Sequence, residues 1–246
     1  MSLCIAVAVL SMFGMDVDLL TANLHVETGM AYLDQGLPDK ALGEFNTALE
    51  ISEDAFEAHL GLARVAVINS SWNTAEEQYS LYICLQPDDC RAPLEMARML
   101  NTTGSSPGDA MNYAEDALAL DPLNGQCWLV LAESESNAGN AEQAIAWYTR
   151  TIIEKEELAD EARVRMGMLH FDQGELADAR ELLLPAANAG REEAHHLLAL
   201  IYLEQHDDLR ARDSINRYLY LAPNGNWADS ARIYLEELSS GNPMIN

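Results

Sequence analysis

The stretch of sequence that decides the fold is residues 128–148, which read WLVLAESESNAGNAEQAIAWY. Small Ala132 and Ala144 lie on either side of Gly139, and bulky Tyr148 follows Ala144 by four residues. Residues four apart share one face of a helix, so the second half of the stretch has a packing face. Glycine readily adopts the left-handed conformation that ends many helices. The stretch therefore predicts two antiparallel helices joined by a turn at Gly139.

The same pattern recurs along the chain about every 34 residues. A first set of small residues, with separations of 34, 34, 35, 35 and 32, comprises Gly29, Ala63, Ala97, Ala132, Gly167 and Ala199. A second set, with separations of 34, 35, 34, 35 and 32, comprises Ala41, Ala75, Ala110, Ala144, Ala179 and Ala211. Two sets that stay in register along the chain indicate an array of six helix pairs.

Other residues keep the same period. Four residues after the second set come Phe45, Tyr79, Ala114, Tyr148, Leu183 and Ile215, and three further on come Ala48, Tyr82, Ala117, Thr151, Ala186 and Tyr218. The positions where one helix must turn into the next hold Gly36, Ser70, Gly104, Gly139, Gly174 and His206. Alternation of small and large residues at helical spacing predicts closely packed helices.

The chain resembles the tetratricopeptide repeat family, whose pattern is W-x2-L-G-x2-Y, then A-x3-F, then P within 34 residues. The sequence TGMAY at 28–32 followed by KALGEF at 40–45 carries this resemblance, as does WLVLA at 128–132 followed by QAIAWY at 143–148. The resemblance implies an all-α fold, a right-handed α-solenoid of antiparallel helix pairs.

The period divides the chain into six repeats and flanking segments. The predicted repeats are 22–55, 56–89, 90–124, 125–159, 160–191 and 192–225. A capping helix is expected at 226–238, followed by a tail at 239–246, because the last pair of a solenoid needs a polar outer cover. The fifth repeat is about two residues short and carries Pro185 in its second helix, which predicts a kink or an early end there.

Residues 1–21 form an apolar N-terminal segment, and residues 3–15 within it are almost wholly apolar. The first basic residue is Lys40, so the basic n-region of a secretory signal is missing. Two interpretations remain open: a helix that packs on the first repeat, or the remnant of a signal or anchor. Accordingly, the sequence favours neither the bacterial cytoplasm nor the periplasm, and an envelope association follows only from the second interpretation.

The chain is strongly acidic, with 40 Asp and Glu against 14 Lys and Arg and a formal net charge of −26. Such a surface repels a phosphate backbone and an anionic bilayer. We therefore expect no nucleic-acid partner and no membrane insertion of the repeat body.

The sequence holds no recognisable catalytic or ligand motif. It lacks a glycine-rich phosphate loop, a GxSxG elbow and an HExxH zinc motif. His195 and His196 are helix neighbours that point about 100° apart and so do not readily chelate one metal ion together. His170 and His206 fall at packing and turn positions, and structural or solvated roles are favoured over metal ligation for all four. No catalytic residue, cofactor site or metal site is predicted.

The family resemblance implies that the first helix of each pair lines a concave groove for a protein or peptide. Carried over position by position, the polar groove residues are Arg64, Arg91, Arg98 and Asn101, and the apolar ones are Leu60, Leu94, Leu129 and Phe171. Guanidinium groups suit an acidic segment or a C-terminal carboxylate. The alternative is that the arginines offset nearby acids such as Glu57, Asp88 and Glu95. The apolar set instead suits an amphipathic helix or strand.

The function most compatible with these patterns is that of a non-enzymatic protein–protein interaction scaffold. The closing residues 211–229 resemble bacterial envelope members of the family, including pilus-biogenesis and outer-membrane assembly factors. The alternative is a chaperone or regulatory protein that transiently caps an assembly subunit. The sequence does not predict the oligomeric state.

Overall fold

A computed structural model describes residues 16–240, and that part of the chain is all-α, with thirteen α-helices and no strand. The helices are α1 Val17–Asp34, α2 Pro38–Ile51, α3 Glu57–Ile68, α4 Trp72–Leu85, α5 Arg91–Thr103, α6 Pro107–Leu120, α7 Gly125–Asn137, α8 Ala141–Glu154, α9 Ala159–Asp172, α10 Leu176–Asn188, α11 Glu192–Glu204, α12 Asp208–Leu221 and α13 Ala228–Ser240. A short 3₁₀ turn, Glu156–Leu158, precedes α9. The predicted all-α solenoid of helix pairs is confirmed as the fold class.

The chain divides into two compact units, Met1–Leu123 and Asn124–Asn246. Unit 1 contains α1 to α6 and unit 2 contains α7 to α13. Within each unit a helix packs against the next one along the chain, first within a pair and then between pairs. Each unit is thus a stack of antiparallel helix hairpins.

The turn inside each pair is made by one residue with a positive φ. These residues are Gly36 at 70°, Ser70 at 54°, Gly104 at 62°, Gly139 at 85°, Gly174 at 77° and His206 at 56°. In five of the six turns the backbone N–H of the residue immediately after the positive-φ residue donates to the carbonyl five residues before it, for example Glu175 N–H to the His170 oxygen at 2.9 Å. This pattern satisfies carbonyls that the helix end leaves open. The predicted turn positions are confirmed, including the two that lack glycine.

The periodic residues form the core of each unit. All twelve small residues of the two sets are buried, as are the large residues that follow them. Phe45 shows why small residues are needed, because a β-carbon placed on Gly29 would lie 2.6 Å from its ring. Gly167 is needed beside Leu183 for the same reason, because a β-carbon placed on Gly167 would lie 2.8 Å from the Leu183 side chain. Small residues on first helices therefore receive large ones from second helices.

The junction after α10 differs from the other junctions between pairs. Helix α10 continues past Pro185 to Asn188, so the chain remains helical for three residues beyond the proline. Gly190 then takes a φ of 88°, and the N–H of Arg191 bonds the Ala186 oxygen at 3.0 Å. The other second helices leave through an extended residue such as Lys155, with φ −130°. A tight turn in place of an extended link explains why the fifth repeat is short.

The ends of the described region differ from the sequence expectations in detail. Helix α1 begins at Val17, inside the predicted segment 1–21, and the interpretations of residues 3–15 lie outside the described residues. Helix α13 follows the last pair and buries Ala228 and Ala231, while Ile233 is 56% exposed. Between residues 16 and 240, none of the helices has the length and apolar character needed to cross a bilayer.

Candidate functional site

Unit 1 contains a cleft of about 360 Å³ between α3, the start of α4 and α5. We call it the α3–α5 cleft, and its lining consists of Arg64, Val67, Ile68, Trp72, Tyr79, Glu95, Arg98, Met99 and Thr102. Two predicted groove residues, Arg64 and Arg98, line the same cleft. Two apolar side chains beside them are accessible, since Ile68 is 55% and Trp72 37% exposed.

Arg64 is engaged by the protein's own carboxylate. Its Nε donates to Glu95 Oε2 at 2.9 Å and its Nη2 donates to Glu95 Oε1, so the ion pair is bidentate. The Tyr79 hydroxyl donates to the same Glu95 at 3.2 Å. The hydrogen bonds that Arg64 donates to Glu95 raise the pKa of Arg64, and burial together with the nearby carboxylate raises the pKa of Tyr79. The Arg64 side chain is therefore held against one side of the cleft by its ion pair with Glu95.

Arg91 lies outside the cleft and is likewise paired. It donates to Glu57 Oε2 through Nη1 at 3.0 Å and to Asp89 Oδ2 through Nε at 2.9 Å. Burial would raise the pKa of Asp89, but hydrogen bonds from Arg91 and Tyr82 outweigh it and lower that pKa to about 2. Arg64 and Arg91 thus follow the alternative that the arginines offset nearby acids, although the acid is Asp89 where Asp88 was expected.

The remaining polar groove residues lie on α5. Arg98 is exposed and lines the α3–α5 cleft. Asn101 follows three residues later and is half-buried, but it is not among the lining residues of the cleft. Of the four predicted polar positions, Arg98 is the one that combines exposure with a place in the cleft.

The predicted apolar groove residues are placed in the cores. Leu60 is fully buried, Leu94 is 9% exposed and Leu129 is 5% exposed. Phe171 is half-buried against the core of unit 2. The three leucines are therefore covered by neighbouring helices and do not line an open apolar trough.

Ile68 and Trp72 are cleft residues that the sequence pattern missed. They flank the α3–α4 turn at Ser70, and the period assigns buried faces rather than residues beside turns. The signal in the sequence was the bulky Trp72 at the first position of a second helix, whereas the other second helices begin with Pro, Ala, Leu or Asp.

Unit 2 contains a second cleft, of about 350 Å³, between α9 and α11. Its lining consists of Glu161, Val164, Arg165, Met168, Arg191, Glu193, His196 and Leu197. Met168 is 44% exposed, and Arg165 forms an ion pair with Glu133 at 3.2 Å. The centres of the His196 and Trp227 rings lie 4.2 Å apart, and burial lowers the pKa of His196, which favours the neutral imidazole.

Comparison with known proteins gives a consistent result. A family model described as tetratricopeptide repeat matches residues 26–89, 104–160 and 164–226. Among solved structures, the chain is similar to PilW, described as a widely conserved type IV pilus biogenesis factor, with a TM-score of 0.73 and 16% identity over 86% of this chain and 98% of that one. A comparison of the sequence with curated proteins found no match.

Two further solved structures show the same fold. The pilF protein of Pseudomonas aeruginosa has a TM-score of 0.69 and 17% identity, covering 89% of this chain and 99% of its own. A tetratricopeptide repeat protein from Parabacteroides merdae ATCC 43184 has a TM-score of 0.73 and 16% identity, covering 89% and 85%. At such identities the likeness concerns the fold.

Proposed function

Because this chain belongs to the tetratricopeptide repeat family, we propose that it is a non-enzymatic protein–protein interaction scaffold whose α3–α5 cleft binds an acidic, apolar-anchored segment of a partner protein. Proteins of this family bind proteins or peptides on the inner faces of their helix pairs. The proposed role requires an accessible surface and a preference for one ligand chemistry.

The observation that carries this proposal is the position of Arg98 beside Ile68 and Trp72 in one cleft. Residues 1–123 contain nineteen acids but only four basic residues, Lys40, Arg64, Arg91 and Arg98. Arg98 is therefore a cationic point in an acidic unit, and it favours a ligand carboxylate. Tryptophan and arginine are also the residues most often found to dominate binding energy at interfaces.

Binding of synthetic peptides to the full chain tests the proposal. We expect a peptide with Asp beside Leu and Phe to bind, and the same peptide with Lys in place of Asp to bind more weakly, as measured by fluorescence anisotropy. Arg98→Ala and Trp72→Ala should each lower the affinity for the acidic peptide at least tenfold, since truncating such anchor residues costs about 2 kcal/mol or more of binding free energy.

The matched control is Arg232→Ala, which removes an exposed arginine of unit 2 that pairs with Asp229. It should leave the affinity unchanged. Equal binding of the acidic and basic peptides, or unchanged binding by Arg98→Ala, would contradict the proposed ligand chemistry.

We also propose a place for the scaffold in a bacterial envelope or pilus assembly. Support comes from the fold shared with PilW and with pilF. In this proposal the repeats 22–55, 56–89, 90–124, 125–159, 160–191 and 192–225 are the structural units, and 226–238 is the cap. The proposed assembly does not include nucleic acid, since the net charge of the chain is −26.

Purification of the full chain from its native host, followed by mass spectrometry of bound proteins, tests this placement. Recovery of no envelope component would overturn it.

A further inference from the structure

The turn inside each helix pair brings three sequence positions together, and we call this place the hairpin corner. The first position is in the last turn of the first helix, the second is the residue just before the second helix, and the third is in the first turn of the second helix. In the first pair the Lys40 ammonium lies 5.4 Å from the Tyr32 ring centre. In the last pair the Arg210 guanidinium lies 5.8 Å from the equivalent Tyr202 ring centre and its Nη1 lies 3.3 Å from Asp207. The fold itself therefore sets which side chains meet.

The corner between α9 and α10 is occupied differently. It holds His170, Glu175 and Asp178, each of which offers one ligand atom within 4.8 Å of the other two. His170 Nδ1 lies 2.5 Å from Glu175 Oε2, and its side chain is only 12% exposed. The equivalent pair in the α7–α8 corner is Glu135 and Asn140, with 2.7 Å between the carboxylate and the amide.

The charge at this corner is reversed relative to the first and last pairs. Asp178 occupies the position where those pairs place Lys40 and Arg210. Among residues 16–240, neither Glu175 nor Asp178 forms an ion pair with a lysine or arginine. Two carboxylates and one imidazole thus meet, and within residues 16–240 no ion pair with a lysine or arginine neutralises the carboxylates.

We propose that His170, Glu175 and Asp178 form a binding site for a divalent transition metal ion of the zinc type. An imidazole nitrogen with carboxylate oxygens is a ligand set that zinc accepts, and water completes the four positions. Magnesium and calcium prefer oxygen ligands alone, so the histidine selects against them.

Metal binding requires a small, identifiable rearrangement. Zinc bonds of about 2.1 Å place the ligand atoms of a tetrahedral site about 3.4 Å apart. The contact between His170 and Glu175 must therefore open, any proton on Nδ1 passes to solvent, and Asp178 moves closer. Glu175 is 49% exposed and Asp178 is exposed, so both carboxylates can rotate while the buried imidazole stays in place.

Isothermal titration of the full chain with zinc chloride tests the site. We expect one zinc ion to bind, with an affinity that falls as the pH is lowered, because the ligands must be deprotonated. Asp178→Asn should weaken binding at least tenfold. The Asp178 side chain makes no hydrogen bond or ion pair within residues 16–240, so this isosteric change leaves the fold intact. His170→Ala should abolish the site.

Two controls make the result specific. Asp207→Asn changes an acid in the α11–α12 corner and should not alter zinc affinity. Cobalt bound in place of zinc should give a visible spectrum of nitrogen and oxygen ligation, without the charge-transfer bands of cysteine thiolate ligation. Absence of zinc binding at micromolar metal, wild-type affinity in Asp178→Asn, thiolate bands, or an equal loss in Asp207→Asn would overturn the proposal.

Discussion

Phe45 shows at the scale of single residues how two helix pairs share one side chain. Its ring contacts Gly29 in its own pair and Gly61 in the next pair, and any β-carbon at either glycine would overlap it. Gly43 lies in the same helix as Phe45, but a β-carbon there would meet nothing within 4 Å. The cost of replacing glycine in a helix therefore depends on what faces it.

Gly61→Ala should lower the free energy of unfolding by about 1 kcal/mol, because overpacking costs about 1 to 3 kcal/mol and exceeds the gain in helix propensity. Gly43→Ala should raise it by about 0.5 to 1 kcal/mol. Urea denaturation measures both values. A Gly61→Ala protein as stable as Gly43→Ala would contradict the packing described for Phe45.

Asp89 provides a pH-dependent contribution to stability. Its pKa is about 2 in the folded chain against an ordinary value of 3.8, so the carboxylate stabilises the fold fully above pH 3.8. That contribution is lost as the pH falls through 2. Asp89→Asn should lower the free energy of unfolding by about 1 to 2 kcal/mol at pH 7, and the difference from wild type should shrink as the pH falls below 3.8 and vanish below pH 2.

The control for this change is Asp88→Asn, since Asp88 is exposed and adjacent in sequence. It should be nearly neutral at every pH. A difference between wild type and Asp89→Asn that stays constant from pH 7 to pH 2 would show that the carboxylate charge is not responsible.

The sequence predicted buried residues better than surface ones. Every residue of the small and large periodic sets is buried, because one helical period determines which face is covered. By contrast, the pairing of Arg91 with Asp89 depends on side-chain direction at a helix start, which spacing does not encode. Leu60 was assigned to the groove by family position, but in this chain it packs into the core. His170, Glu175 and Asp178 meet only once the turn is closed.

At the scale of the helix pair, the turns tolerate residues that are poorly suited to them. Ser70 and His206 adopt φ values of 54° and 56°, a conformation that costs a residue with a β-carbon about 1 kcal/mol or more. The neighbouring hydrogen bond from Ser71 N–H to the Ala66 oxygen, at 2.8 Å, holds the turn closed. Tertiary packing of the helices therefore overrides the local preference.

Ser70→Gly should raise the free energy of unfolding by about 0.5 to 1 kcal/mol, because glycine adopts the required φ without strain. Ser71→Gly, at a residue whose φ is −90°, should not raise the free energy of unfolding. Thermal and urea unfolding measure both. Equal stabilisation by the two changes would show that relief of the positive φ is not the cause.

The end of helix α10 is a feature that the sequence did not predict correctly. Pro185 indicated a kink or an early end, and the helix nevertheless continues to Asn188 before the turn at Gly190. Proline lacks an N–H and excludes one backbone hydrogen bond, but the helix needs only three more residues to its end. The shortened repeat was visible in the sequence, whereas the tight turn that shortens it depends on how α11 packs.

At the scale of the whole molecule, charge repulsion opposes the packing of the helices. The formal net charge is −26 and both units have more acidic than basic residues. The ion pair between Arg64 and Glu95 is partly buried, so salt screens it less than it screens exposed acids. Repulsion among exposed acids should therefore dominate the response to ionic strength.

Raising the salt concentration from about 0.01 to about 0.15 M shortens the screening length from about 30 to about 8 Å and should raise Tm at pH 7. Circular dichroism during heating measures this, with an equal osmolality of sucrose as the comparison. A Tm that falls with salt would mean that attractive ion pairs outweigh the repulsion.

The tryptophans give each unit its own optical reporter. Trp72 lines the α3–α5 cleft, Trp227 contacts the His196 ring at the edge of the α9–α11 cleft, and Trp128 is fully buried. An indole changes its emission when its neighbour changes, whereas a shielded indole supplies a constant background. Occupancy of the two clefts can therefore be read separately, without a dye, from variants that keep either Trp72 or Trp227 and replace the other solvent-accessible indoles, including Trp147.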